Sequence, residues 1–129
     1  MKDDIKVDES TGEVIEQPEE NKAPETTLEM DMENAMYNER ERGAARFWRY
    51  NHSTHESFSL IREELEESQE ALAKVPKALK EAWEQVRTND ETAFAAYCAQ
   101  MKKDALHAAG ECIQLAAMAM KAEESVYEH

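Results

Sequence analysis

The chain contains few of the residues that break helices or cross-link small domains. Only three glycines and three prolines occur among its 129 residues, and aromatic residues make up 7%. This composition disfavours a turn-rich β-sandwich and favours a helical protein. Cys98 and Cys112 would lie about 21 Å apart along one helix, too far for a disulfide. They are expected to be reduced thiols, and no metal site is expected at either one.

Positive charge is also scarce. The chain has 15 Lys and Arg residues against 29 Asp and Glu residues, a formal net charge of −14. Nucleic-acid backbones and anionic membrane surfaces would repel such a protein, so neither is an expected partner. The amino-terminal residues contain no apolar signal segment, and no apolar run approaches membrane-spanning length. Together with the unpaired cysteines, these absences predict a cytoplasmic protein.

Residues 1–26 are acidic and contain two of the three prolines. They show no sustained hydrophobic periodicity, which predicts a disordered acidic tail. A role in binding a partner is the alternative. Residues 27–129 are predicted to form a single all-α domain, since that length suits one modest core.

Four helices are predicted in this domain, over about residues 28–49, 54–74, 76–87 and 93–122. Short connections between helices of these lengths indicate a four-helix bundle-like fold. Capping-box spacings occur at Thr26–Glu29, Ser53–Glu56 and Thr88–Glu91. Two apolar seams are expected to form much of the core, and their residues are Phe58, Ile61, Leu65, Ser68, Leu72 and Val75 on the second helix and Leu79, Trp83 and Val86 on the third.

The final helix is expected to be long and buried. Between Asp104 and Met120 most residues are small or apolar. The exceptions are Asp104, His107, Glu111 and Gln114, whose spacing places them on one stripe of the helix. A polar stripe of this kind either faces solvent or faces polar partners, because isolated charges are not buried without compensation.

The acidic run on the second helix is not uniform. On a helical wheel Glu64 falls inside the apolar arc and Glu67 at its edge, whereas Glu63, Glu66 and Glu70 point towards solvent. One interpretation is that these residues and the polar stripe are simply the wet faces of amphipathic helices. The other is that Glu64 and Glu67 meet Glu111 across a helix interface. Converging carboxylates repel one another and call for a cation, and oxygen ligands suit Mg²⁺ or Mn²⁺.

Two segments resemble motifs of a known family. Glu63-Glu64-Leu65-Glu66-Glu67 resembles the Glu-x-x-Glu metal motif of the MazG-like all-α nucleoside triphosphate pyrophosphohydrolases. The stretch from Glu111 to Ala119 resembles their second motif. His52-Ser53-Thr54-His55-Glu56, followed by both motifs in order, is similar to small MazG-like proteins of phages and prophages. The resemblance covers about residues 52–75 and 104–122.

The resemblance implies a MazG-type fold that forms dimers or tetramers and a Mg²⁺-dependent hydrolysis of a nucleoside triphosphate to monophosphate and pyrophosphate. A phage origin would place the protein in the cytoplasm of a bacterial host. Glu64, Glu67 and Glu111 would be the catalytic metal ligands. Where the family's second motif normally has Asp, this chain has Gln114, whose amide carries no charge. Asp104, two turns earlier, would compensate in an elongated site.

Candidate nucleotide-binding residues are His52, His55, His107 and Gln114. The alternative for His52 and His55 is a loop before a helix that merely tolerates histidine. His107 suits a hydrogen-bonded position on the helix face, because a Mg²⁺ site prefers oxygen. The sequence therefore predicts a nucleotide pyrophosphohydrolase. Its alternative is a relative without catalysis, which would bind or sequester nucleotides or form a structural helical oligomer.

Overall fold

The computed structural model describes residues 5–7, 14–16 and 27–128 of the chain. Strand β1 (Ile5–Val7) pairs antiparallel with strand β2 (Val14–Glu16), with Lys6 opposite Ile15. Helices α1 (Thr27–Arg46), α2 (Thr54–Leu72), α3 (Lys74–Arg87) and α4 (Glu91–Glu128) follow. The chain divides into two units, the first ending at Glu33 and the second beginning at Asn34.

The first unit contains the two paired strands, which the sequence analysis did not predict. Both strands are rich in β-branched residues, with Ile5 and Val7 in one and Val14 and Ile15 in the other. Such side chains favour extended backbone even in short segments. The rest of residues 1–26, and Thr26 with the first capping box, lies outside the described residues, so the disordered tail remains a prediction there.

The all-α class is confirmed for residues 27–128, and the four helices overlap their predicted ranges, although α1 ends at Arg46 and α4 continues to Glu128. In the second unit, α2 and α3 follow each other along the much longer α4. They run antiparallel to it, since Ser57 near the start of α2 lies beside the carboxyl-terminal part of α4 at Ser125, whereas Glu67 lies beside Glu111. None of the helices in the described ranges is long and apolar enough to cross a membrane.

The start of α2 confirms Ser53 as the cap, but the Glu56 side chain reaches the backbone N–H of His52 where a capping box would have that of Ser53. The Glu56 backbone N–H donates to Ser53 Oγ at 3.1 Å, and Glu56 in turn accepts from the His52 backbone N–H at 2.9 Å. A break of one residue, Ala73, separates α2 from α3. Pro76 falls in the first turn of α3, where its missing N–H leaves no hydrogen bond unmade.

The start of α4 differs from the predicted capping box at Thr88–Glu91. Thr88 Oγ1 instead donates back to the Glu84 carbonyl at 3.0 Å and ends α3. Asn89 then adopts a φ of 57°, a left-handed conformation that asparagine tolerates. Asp90 is the residue that caps α4, with Oδ1 accepting from the Ala93 N–H at 3.0 Å.

The interface between α4 and the α2–α3 segment is built from small side chains. Within residues 27–128, the buried apolar side chains are all alanines, namely Ala71, Ala78, Ala82, Ala108 and Ala117. Three serines, Ser57, Ser68 and Ser125, are also buried. Small residues let helix backbones approach closely, and close approach brings side chains of the two layers into contact.

Six of the nine predicted seam residues are exposed, whereas Ser68 is buried and Ile61 and Val75 are partly buried. On α2, Phe58 is 64% exposed, and Leu65 and Leu72 are exposed as well. On α3, Trp83 is 59% exposed, although it was expected in the core. The final helix is confirmed as one long helix but is not buried, since Leu106 is 69% exposed. A period-seven pattern marks an apolar face without telling whether the same chain covers it.

Candidate metal site

The α2 start is fixed to α4 by a small polar network that sets their register. The Asn51 backbone N–H donates to Ser125 Oγ at 2.8 Å, and Asn51 Nδ2 donates to Ser57 Oγ at 2.8 Å. Ser125 Oγ donates to the Lys121 carbonyl at 2.7 Å. All three polar side chains are buried. Because the helices are antiparallel, this anchor determines which residues of α2 meet which residues of α4 further along the pair.

Three carboxylates meet across the α2–α4 interface. One carboxylate oxygen from each of Glu64, Glu67 and Glu111 can be chosen so that all lie within 4.8 Å of one another. Glu64 and Glu67 are one turn apart on α2, and Glu111 reaches them from α4. This spacing is compatible with one shared ion at oxygen–metal distances near 2.1 Å. We call these three residues the carboxylate cluster.

Two oxygens of the cluster are buried and have no hydrogen-bond partner among the described residues. They are Glu64 Oε2 and Glu111 Oε2. A buried carboxylate oxygen without a donor is costly, since the charge loses its hydration. A bound cation would satisfy both oxygens at once. The residues present therefore fit a hard divalent ion, because all three donors are carboxylates.

The protonation of the cluster reflects the same crowding of charge. Burial, and then the charges of Glu67 and Glu111, raise the pKa of Glu64 above its ordinary value. Burial and the neighbouring carboxylate of Glu111 likewise raise the pKa of Glu67. Both shifts have the direction expected when like charges converge without a counter-charge.

Other predicted site residues lie around this cluster or away from it. His107 Nε2 is 3.7 Å from Glu111 Oε1, and His107 lines a cavity of about 530 Å³ together with Glu67 and Glu111. Asp104 is not in the cluster and instead accepts a hydrogen bond from Gln100 Nε2 at 3.0 Å. Two turns of helix, about 10 Å along the axis, separate it from Glu111, and its carboxylate is not among the three that meet.

Gln114 lies on the other side of the cluster. It lines a second cavity of about 320 Å³ together with Glu64. The carboxylate cluster thus separates two cavities, one reached by Glu64 and the other by Glu67 and Glu111. Gln114 is exposed.

His52 and His55, at the start of α2, are not part of the carboxylate cluster. His52 Nδ1 is 3.4 Å from the Glu56 carboxylate, and its ring packs edge-on against Trp48 at a centroid distance of 5.7 Å. His52 lines a separate cavity of about 220 Å³ beside Asn51 and Ser125. His55 is exposed on the first turn of α2. This placement fits a role at the α2 start better than direct contact with an ion at Glu64.

Sequence reasoning did not find the cations that surround the second cavity, Arg40, Arg46 and Lys121. Arg40 lies within a highly charged run of α1, where nothing in the spacing distinguishes a buried arginine from exposed ones. Comparisons of the chain with protein families, with curated proteins and with solved structures find no match.

Proposed function

We propose that this protein is a MazG-like, Mg²⁺-dependent nucleoside triphosphate pyrophosphohydrolase, or a close relative of phage or prophage origin. The observation that carries the proposal is the carboxylate cluster with its two buried, unpartnered oxygens. Its three members are the residues that the family resemblance implies as metal ligands. The reaction would cleave the bond between the α-phosphorus and its bridging oxygen, as water adds to that phosphorus and pyrophosphate leaves.

The residues of the chain have separable tasks in this proposal. Glu64 and Glu111 contribute the buried oxygens that would hold the ion, and Glu67 contributes a more exposed one. When bound, Mg²⁺ or Mn²⁺ would neutralise phosphate charge and acidify a coordinated water. Glu67 and His107 face the cavity beside the cluster, where either can accept a proton from an approaching water.

The proposal includes self-association, because the described residues leave one face of the α2–α3 segment uncovered. Its large apolar residues recur at intervals of seven and three or four, and they are exposed within the described chain: Phe58, Leu65, Leu72, Leu79, Trp83 and Val86. We call these six residues the apolar stripe. A continuous exposed stripe of this kind marks an interaction surface. Among the described residues the fully buried apolar side chains are alanines, and larger ones such as Ile61 and Leu115 stay partly exposed, so a second α2–α3 segment would complete a core of large side chains.

Charge along the stripe indicates a second copy of this chain in antiparallel orientation. The α2 segment is rich in glutamate, and Arg62 is its one Lys or Arg residue. The α3 segment instead carries four such cations, Lys74, Lys77, Lys80 and Arg87. In a two-fold dimer with antiparallel stripes, the acidic half of one copy lies beside the basic half of the other.

Turnover tests the enzymatic proposal directly. Canonical and modified nucleoside triphosphates are incubated with the protein and Mg²⁺ or Mn²⁺, and pyrophosphate release is measured. Glu64→Gln and Glu67→Gln should each lower the rate by more than about 100-fold, because an ion held at the reacting phosphate contributes several kcal/mol. Glu66→Gln is the matched control, since Glu66 faces Arg62 at 3.5 Å on the exposed side of α2.

A second candidate function is nucleotide binding without turnover. It is favoured by Gln114, which stands where the family's second motif has an acid and which faces a cavity away from Glu67 and Glu111. Under this alternative a nucleotide with Mg²⁺ raises the thermal midpoint of unfolding, and no pyrophosphate is released from any substrate in the panel. Absence of both release and any Mg²⁺-dependent thermal shift would overturn the enzyme and the metal site together.

A further inference from the structure

The cavity on the Glu64 side of the carboxylate cluster is bounded by α1, α2 and α4. Its volume is about 320 Å³, and three of its lining residues are cations: Arg40 and Arg46 from α1 and Lys121 from α4. This concentration of positive charge is unexpected in a chain with a net charge of −14. Two acids, Glu39 and Glu64, also line the cavity.

Arg40 is the most informative of the three cations. Only 3% of the residue is exposed. Its Nε donates to Glu124 Oε1 at 2.7 Å, and its Nη2 donates to the Arg49 carbonyl at 2.5 Å. Its Nη1 is buried and has no hydrogen-bond partner among the described residues. The guanidinium is therefore fixed in the cavity wall by two hydrogen bonds, and the lack of an acceptor at its third nitrogen among the described residues is costly for a buried charged group.

The other two cations are compensated less than Arg40 is, since Glu56 acts on Lys121 only through its charge. Across residues 27–128, neither Arg46 nor Lys121 makes a side-chain ion pair. Burial and the positive charge of Arg40 lower the pKa of Lys121, so the two cations repel each other. A shared anion would relieve this repulsion and satisfy the unused donor of Arg40.

Glu39 and Glu64 differ in how far each can offset the positive charge of the cavity. Glu39 is engaged by Arg42, whose Nη1 donates to Glu39 Oε1 at 2.7 Å. Glu64 belongs to the carboxylate cluster, and an ion bound there would cancel its charge. Arg46 and Lys121, together with the Glu124-paired Arg40, would then face a ligand in the cavity beside the ion. That arrangement matches a group with several negatively charged oxygens.

We infer that Arg40, Arg46 and Lys121 form a phosphate-binding subsite next to the carboxylate cluster. The inference rests on the proposed function for the identity of its ligand, a phosphoryl group of the nucleotide or the pyrophosphate product. The subsite itself is built from α1 and α4 cations that take no part in holding the ion. It can therefore be examined in the absence of metal.

Calorimetric titration with inorganic pyrophosphate, in chelator and at low ionic strength, tests the subsite. Lys121→Gln and Arg46→Gln should each weaken binding by roughly tenfold, which corresponds to the lower end of the free energy contributed by one hydrogen bond to a charged group. Lys102→Gln and Arg62→Gln remove the same charge from exposed positions elsewhere and should change binding less than about twofold. A nucleoside monophosphate, titrated in parallel, reports whether one phosphoryl group is sufficient.

Glu64→Gln separates the subsite from the metal site. Removing this carboxylate should strengthen metal-free pyrophosphate binding while weakening any Mg²⁺-dependent thermal shift. Failure of Mg²⁺ to bind, with pyrophosphate binding still dependent on Lys121, would overturn the proposed function and leave the subsite standing. Equal pyrophosphate affinities for the wild type, Lys121→Gln and Arg46→Gln, or no pyrophosphate binding at all, would overturn the subsite.

Discussion

Glu64 on α2 and Glu111 on α4 bring their carboxylates within 4.8 Å of each other, and each has one buried oxygen that finds no hydrogen-bond donor in the described part of the chain. Two negative charges so placed oppose folding unless a proton or a cation separates them. The stability of the protein should therefore depend on both pH and divalent metal.

The pH dependence has a defined sign. The pKa of Glu64 and of Glu67 is raised in the folded state above the ordinary value of 4.5. The folded state thus holds more protons than the unfolded state just above that pH, and these groups lose stabilisation as pH rises from about 4.5 through the folded pKa. In chelator, the difference in unfolding free energy between Glu64→Gln and wild type should grow over this window. Urea unfolding at several pH values measures it.

Mg²⁺ should reverse that loss in the wild type, because the ion replaces the protons between the carboxylates. Glu66→Gln serves as the control, since Glu66 is exposed and no shift of its neighbours depends on it. If wild type and Glu64→Gln show parallel pH profiles in chelator and equal responses to Mg²⁺, the cluster does not couple to stability and the metal site is refuted.

Self-association should depend on the apolar stripe. Leu65→Asp and Leu72→Asp each place a charge in the middle of it, and both should convert a dimer or larger oligomer to monomer in light scattering coupled to size-exclusion chromatography. Ser59→Asp adds the same charge on an exposed face of α2 away from the stripe and should leave the mass unchanged. A wild type that is monomeric at all concentrations tested would contradict the proposed dimer.

Arg40 should contribute to stability more than any exposed arginine. Arg40→Met removes two charged hydrogen bonds, to Glu124 and to the Arg49 carbonyl, and should lower the unfolding free energy by about 1–3 kcal/mol. Arg42→Met breaks only an exposed ion pair within α1 and should cost less than about 0.5 kcal/mol. If urea unfolding gives the same loss of unfolding free energy for both substitutions, the buried hydrogen bonds of Arg40 stabilise the fold no more than an exposed ion pair does.

The polar anchor at the start of α2 should affect the cluster at a distance. Ser125→Ala removes the acceptor of the buried Asn51 N–H and should destabilise the protein by about 1–3 kcal/mol. It should also weaken Mg²⁺ binding, because the register of α2 on α4 is fixed there. Ser53→Ala, which removes only the helix cap, should cost about 1 kcal/mol and leave the Mg²⁺ affinity unchanged. Equal Mg²⁺ affinity in Ser125→Ala and wild type would show that the polar anchor does not affect the metal site.

The sequence predicted the features that depend on local helix rules and on repulsion between neighbouring carboxylates. Helix positions followed from capping residues and periodicity, and the pairing of Glu64 with Glu67 followed from helical spacing. The approach of Glu111 was a hypothesis about a helix interface, and the structure brings it to the other two. Asp104 shows the limit of the stripe argument, since residues on one stripe can still lie too far apart along the axis to share an ion.

Burial was harder to predict because it depends on what lies opposite. Trp83 and Leu65 have the spacing of core residues, but the partner helix α4 meets the alanine and serine face beside them. Arg40 illustrates the converse, a charged residue in a charged run that is nevertheless buried. Its burial depends on Glu124 and Arg49 from elsewhere in the chain, and a local pattern contains no information about such partners.

The alanine interior has a calorimetric consequence. The heat-capacity change on unfolding is set mainly by the apolar area that unfolding exposes to water. A lone chain whose fully buried apolar side chains are alanines along its described length, with larger ones such as Ile61 and Leu115 only partly covered, exposes less new area than a chain with a fully covered core of large side chains. It would melt gradually, with a small heat-capacity increment for its size. A sharp transition with a large increment, moving to higher temperature as protein concentration rises, would be the thermal signature of leucine and tryptophan side chains covered between chains.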